Sequence, residues 1–119
     1  MIMFNEDLVV NVGATLKWVF YVLDNDSTTI DITNYEFKLQ LKSDLRSSAA
    51  PLLDCTPYLD YSTFSTLGIV VVSVPYLVTS RLAGSMSNAY YDLKVKTPDG
   101  EVFIVSKGKV AILNTVTDF

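Results

Sequence analysis

From residue 35 the chain alternates without a fault. Tyr35, Phe37, Leu39 and Leu41 fall on one side, and Glu36, Lys38, Gln40 and Lys42 on the other. A period of two is that of a β-strand with one face in a core and one in water. Just ahead of it, Asp31, Ile32, Thr33 and Asn34 form a turn segment in which Asp, Thr and Asn can bond the nearby backbone. A second clean alternation runs over residues 88–96, with Ala89, Tyr91, Leu93 and Val95 inward and Tyr90, Asp92, Lys94 and Lys96 outward. The sequence Thr97-Pro98-Asp99-Gly100 then reads as a hairpin connection, so residues 101–106 are expected to pair back antiparallel.

The remaining segments fit the same plan. Residues 7–12 read as a first strand, Gly13 and Ala14 as a break, and residues 15–23 as a long second strand. In that strand Leu16, Trp18, Phe20 and Val22 share one face, yet Val19, Tyr21 and Leu23 are apolar on the other. Both faces of such a strand need cover, from a loop or from another subunit. Residues 24–27 form a polar connection and 43–50 a small, polar loop, and residues 51–60 are a weaker strand that Pro57 assigns to an edge or a bulge. Residues 63–66 turn into a β-branched strand at 68–74. Pro75 opens a short helical turn over 75–82, in which Leu77, Val78 and Leu82 are expected to cap one end of the core, and Gly84 closes it. Lys107, Gly108 and Lys109 allow a kink or bulge before a last strand at 110–113 and a tail at 114–119. This pattern predicts an all-β, immunoglobulin-like antiparallel β-sandwich of about seven to nine strands. Its core is expected to include Leu16, Trp18, Phe20, Phe37, Leu39, Tyr91 and Leu93. A chain of 119 residues suits one domain, residues 1–119, with apolar arms at 1–6 and 114–119.

The search for chemistry returns little. With no His, the chain lacks the commonest general base and zinc ligand, and Cys55 without a His partner reads as a small buried hydrophobe. Asp24, Asp26 and Asp31 lack the glycine and closing glutamate of a calcium loop, so turn formation accounts for them. Asp54 and Asp60 read as solvated edge carboxylates rather than a glycosidase pair. Tyr58, Tyr61, Phe64, Tyr76, Tyr90 and Tyr91 offer the raw material of a sugar platform, though aromatic residues in strands ordinarily serve a core or a subunit contact. The glycines are scattered at turns, so no phosphate-cradling loop is read. No catalytic residue, cofactor site or metal site is assigned, and the chain is expected not to be an enzyme.

Charge and hydropathy narrow the partners. With 9 basic and 13 acidic residues, and no basic run longer than a pair, nucleic acid is not expected as a partner. The apolar stretches at 14–23 and 67–78 are broken by Lys17, Ser73 and Pro75 and fall short of the roughly 20 residues of a membrane helix, so no membrane partner is expected either. The N-terminal stretch lacks a basic region and carries Glu6 and Asp7, and an internal disulfide is impossible with one cysteine, which together lead us to expect a protein made in a reducing cytoplasm. Half the residues are hydrophobic while only 18% are charged, so some apolar surface is expected to meet protein.

Several motifs together carry a resemblance. They are Gly13-Ala14-Thr15-Leu16-Lys17-Trp18, the stretch from Asp31 to Leu41, the run Tyr91-Asp92-Leu93 through Pro98-Asp99-Gly100, Gly108 to Val110, and Val116-Thr117. In these the chain resembles the small immunoglobulin-like modules of tailed-bacteriophage virions, of the type found at the N-terminus of baseplate upper proteins and in short head and tail accessory proteins. Asn34 stands where such modules commonly have Gly, which asks only that the position accept a left-handed turn. The resemblance implies a virion structural protein, made in the host cytoplasm, that associates with itself, as a trimer on the family precedent, and with major capsid or tail proteins. A module that stops soon after its last strand leans toward a capsid decoration (cement) role. The alternatives are a tail or baseplate connector and a module that holds a host-surface saccharide.

The assembly residues are expected at the two ends and on the doubly apolar strand. They are Met1, Ile2, Met3, Phe4, Val19, Tyr21, Leu23 and Phe119. Apolar ends left in water are unusual, so they are expected to reach a neighbour, the alternative being that they fold back on their own sandwich as edge strands.

Overall fold

The two alternating segments lie side by side. In the computed structural model, which describes all of residues 1–119 except 47, 49, 85, 86 and 118, strand β4 (Glu36–Lys42) pairs antiparallel with β8 (Asn88–Lys96). Phe37 stands opposite Val95, Leu39 opposite Leu93 and Leu41 opposite Tyr91, and all six are buried. The expected loop at 43–50 and tail at 114–119 fall partly outside the described residues, at 47, 49 and 118. The hairpin turn closes where Thr97 N–H donates to the Glu101 carbonyl at 2.8 Å and Gly100 N–H to the Thr97 carbonyl at 2.9 Å. It leads into β9 (Val102–Leu113), which pairs with β8 along its length.

Three more strands complete this sheet. β5 (Pro51–Asp54) flanks β4, while β1 (Phe4–Asn5) and β2 (Leu8–Asn11) both pair with β9 in parallel. The second sheet has the order β3-β7-β6, formed by β3 (Leu16–Tyr21), β7 (Ile69–Val74) and β6 (Leu59–Asp60). The inward positions of the two sheets, with Val10, Val12, Val22, Ile32 and Leu82, make one apolar core. This strand order is that of an immunoglobulin-type sandwich whose larger sheet carries an extra strand beside the middle pair. The parallel pairing of β1 and β2 makes that sheet mixed rather than wholly antiparallel.

A short helix α1 (Tyr76–Thr79) and one further helical turn, Ser80–Leu82, connect β7 toward β8. Val78 and Leu82 are buried, and the Thr79 hydroxyl donates to the Ala14 carbonyl at 2.8 Å, which ties the turn to the start of β3. Leu77 does not cap the core. It is exposed, because a single helical turn directs successive residues to different sides.

Four other expectations are corrected. The segment 51–60 is two strands in different sheets, not one: the helical turn Thr56–Tyr58, with Pro57 lacking an N–H, carries the chain across the sandwich beside buried Cys55. Trp18 is half-buried rather than core, since β3 is the edge of its sheet and no strand pairs with it on the far side among the described residues. The long second strand ends at Tyr21, beyond which Leu23 makes only an isolated bridge to Thr29. Finally, Lys107-Gly108-Lys109 is regular strand. The register slips between Leu93 and Lys94, leaving Val105 as the extra residue, and Gly108 serves a different purpose: a Cβ there would collide with the Glu6 carbonyl, where the N-terminal segment crosses β9.

Candidate interaction surface

The residues expected to be chemically inert have structural partners. Asp24 Oδ1 accepts from the N–H groups of Asp26 and Thr28 at 2.9 and 3.0 Å, and Asp31 Oδ1 accepts from Thr33 N–H and from its hydroxyl at 3.0 and 2.6 Å. Asp60 plays the same part for Ser62 and Thr63. These bonds hold the Asp31 and Asp60 carboxyls below their ordinary range, the Thr33 and Thr63 side chains being the leading cause, and the Arg46 guanidinium does so for Asp44. Among the described residues no group of three His, Cys, Asp or Glu is placed to hold a metal ion. Asp54 and Asp60 lie on strands of opposite sheets. Cys55 is fully buried, and burial, helped by the Asp54 charge, pushes its thiol up to about 12, so it stays protonated.

The six aromatic residues of the candidate sugar platform are divided between the core and the surface, with Phe64 exposed and Tyr58 half-buried. Tyr91 is in the core, 6.1 Å from Trp18 and 6.3 Å from Phe20 between ring centres, and Tyr61 packs on Phe37 at 5.0 Å. Tyr90 stands on the outer face of the larger sheet, and Tyr76 on α1.

What remains is surface, and it is uneven. On the outer face of the smaller sheet Val19 is 51% and Tyr21 52% exposed, opposite half-buried Val71 and Ile69 on β7. The backbone beside them is also open. Val22 N–H donates to the Gly68 carbonyl at 2.8 Å, so the alternation of an antiparallel ladder turns the even residues of β3 toward β7 and leaves Lys17, Val19 and Tyr21 facing away. The bond from Ile2 N–H to the Leu23 carbonyl, 2.9 Å, fits the same parity. Between this edge and β1 runs a groove of ≈ 360 Å³, lined by Phe4, Val19, Tyr21 and Val105 among others.

The N-terminal residues lie along this side. Met1 and Ile2 are half-buried, with the Met1 ammonium 3.2 Å from Asn25 Oδ1, whereas Met3 and Phe4 keep exposed faces, and Leu23 is half-buried. Phe4 pairs with Ser106 of its own chain, so the N-terminal segment takes the edge-strand course at that point and is not a free arm. At the other end Val116 and Phe119 are fully exposed, away from the groove in sequence and beyond the end of β9. The structure therefore brings Phe4, Val19 and Tyr21 to one groove and leaves Phe119 apart.

A second surface was not apparent from the sequence. On the outer face of the larger sheet Lys38 stands directly opposite Lys94, with Glu36 opposite Lys96 and Lys42 opposite Tyr90. On β9, Lys107 and Lys109 continue the row beside Asp92 and Tyr90, so every lysine but Lys17 belongs to this face. Like charges directly opposite on paired strands oppose each other, and neither Lys38 nor Lys94 has an ion-pair partner within 4.0 Å among the described residues. A trough of ≈ 450 Å³ crosses this face beneath Asp44, Leu45 and Arg46. The signal was present as outward positions of two alternating strands, but it becomes a patch only once β4, β8 and β9 are known to be neighbours. No protein-family model matches the chain, and no curated protein matches it significantly.

Proposed function

We propose that this chain is a non-enzymatic structural module that acts by association, with itself and with a larger assembly. In keeping with the motifs it shares with immunoglobulin-like virion modules, the assembly is a bacteriophage particle and the role leans to capsid decoration, with a tail or baseplate connector as the alternative. The observation that carries the reading is the exposed pair Val19 and Tyr21 beside a strand edge with unpaired backbone. An uncovered edge of that kind is a template for further pairing, and natural proteins ordinarily blunt it with charge, proline or a covering loop. Here the outward side chains of the edge are Lys17, Val19 and Tyr21, only one of them charged. The lysine-rich face of the larger sheet, on the other side of the sandwich, suits docking to an acidic protein surface.

The test is direct. Light scattering of the purified chain across micromolar concentrations is expected to give an oligomer, and the chain is expected to sediment with phage particles. A monomer at tens of micromolar that also fails to co-sediment would remove the reading.

A further inference from the structure

We infer that two copies of this chain join through their β3 strands, antiparallel about a two-fold axis at Val19, so that the two small sheets become one. The inference rests on the reading of the chain as a self-associating module and names the contact. Three features point to it.

The first is hydrogen-bond parity. The free edge of β3 offers the N–H and C=O groups of Lys17, Val19 and Tyr21, all of odd number, so an antiparallel partner must match odd with odd. Five self-pairings satisfy that rule, centred on each residue from Lys17 to Tyr21. Centring on Lys17 sets two ammonium groups opposite each other, which is unfavourable. Centring on Phe20 or Tyr21 requires the Leu23 carbonyl, which already accepts from Ile2, and centring on Trp18 sets the exposed Val19 of each copy against the Lys17 ammonium of the other instead of against apolar surface. Centring on Val19 uses only open groups and sets Lys17 of each copy against Tyr21 of the other, with no like charges paired. It is the self-complementary arrangement that a two-fold interface demands.

The second feature is apolar cover. In this register the two Val19 side chains meet, and each Tyr21 lies beside the other copy's strand, so the exposed outer patch of one copy continues into that of its partner. The third is Trp18, which is half-buried on a strand that has no paired strand beyond it among the described residues. In the pair it faces Phe20 of the second copy on the inner side, where its open flank closes. A two-fold then replaces the three-fold that the virion resemblance implies.

Single-cysteine variants read the register, since Cys55 is buried and protonated. Residues opposite each other in a hydrogen-bonded pair have Cα atoms about 5.5 Å apart, within disulfide range. Val19→Cys should therefore give a reducible dimer in high yield. Lys17→Cys or Tyr21→Cys alone should not, the like residues being roughly 13 Å apart along the strands, but a mixture of those two should cross-link. Val19→Lys, at an exposed position, should leave the monomer folded by circular dichroism and turn the species seen by light scattering into a monomer. Trp18 is the only tryptophan, so dilution of the wild-type chain should shift its emission to the red, and Val19→Lys should show the red-shifted spectrum at every concentration. An oligomer that Val19→Lys does not dissociate and Val19→Cys does not cross-link would overturn this contact while leaving self-association intact. A wild-type chain that is monomeric at tens of micromolar would overturn both.

Discussion

The Tyr91 hydroxyl lies 2.7 Å from the carbonyl oxygen of Glu6, a residue 85 positions away, and joins the middle of the larger sheet to the N-terminal segment that crosses its edge. Its proton goes to that carbonyl, and its oxygen receives the buried Ser106 hydroxyl at 2.8 Å. Tyr91→Phe keeps the ring among Trp18 and Phe20 but leaves the Ser106 hydroxyl without a partner among the described residues. The expected cost is about 1–3 kcal/mol, measured as a shift in the urea midpoint with unchanged slope.

Phe37 is 1% exposed and packs on Tyr61 across the sandwich. Phe37→Ala should cost ~3–5 kcal/mol, from the lost transfer of the ring and the cavity left behind. A denaturant-midpoint change worth under about 1 kcal/mol would mean the site collapses without loss, contrary to a tightly packed interior.

Gly108 allows the Glu6 carbonyl to approach β9. Gly108→Ala should lift the N-terminal segment and destabilise by about 1–3 kcal/mol, the usual range for overpacking. Deleting residues 1–4 removes the bonds to Leu23 and Asn25 and the Phe4 pairing, so it should lower the stability of the monomer itself. Thermal melts at a concentration low enough to exclude association check both; unchanged melts would show that the segment contributes nothing to its own sandwich.

Alkaline pH should expose the cost of burying Cys55. In the folded chain the thiol is held at about 12 against an ordinary 9.0, so the native state keeps a proton that the unfolded chain gives up. Stability from this group is whole below 9.0 and falls as pH rises toward about 12, by ~1.4 kcal/mol per pH unit. Burial raises Tyr91 in the same direction. Cys55→Ala should start less stable at neutral pH but lose less between the two values. Parallel curves for the two proteins would contradict the assignment.

The strands with one wet and one dry face were legible in the sequence because a period of two leaves little choice. The β4 and β8 faces are as read, and Asn34 does adopt a left-handed conformation, φ 66°, at the turn into β4. Val19 and Tyr21 were legible too, since an apolar outward face on a second strand asks for cover. The sheet change at 55–58 was not: it depends on the partners each half finds, and Pro57 marks a break without saying where the chain goes next. Nor was the lysine face, whose members lie as far apart in sequence as Lys38 and Lys109. The parallel docking of β2 on β9 left no local mark, because both strands read as ordinary apolar segments whichever neighbour they take.

That docking has a consequence for how the chain is born. Asp7, whose carboxylate receives the Lys109 N–H at 3.0 Å, is 102 residues from it. At ribosomal rates the later residue follows the earlier by about 5–20 s, whereas a hairpin such as that of β8 and β9 closes in ~1–10 µs once it is free. For all of that interval the ladder that β1 and β2 occupy on β9 does not exist, and Phe4, Leu8, Val9 and Val10 travel on the nascent chain without it. The segment that seals one edge of the finished sandwich is thus made before the rest of it and must wait for β9 before it can dock.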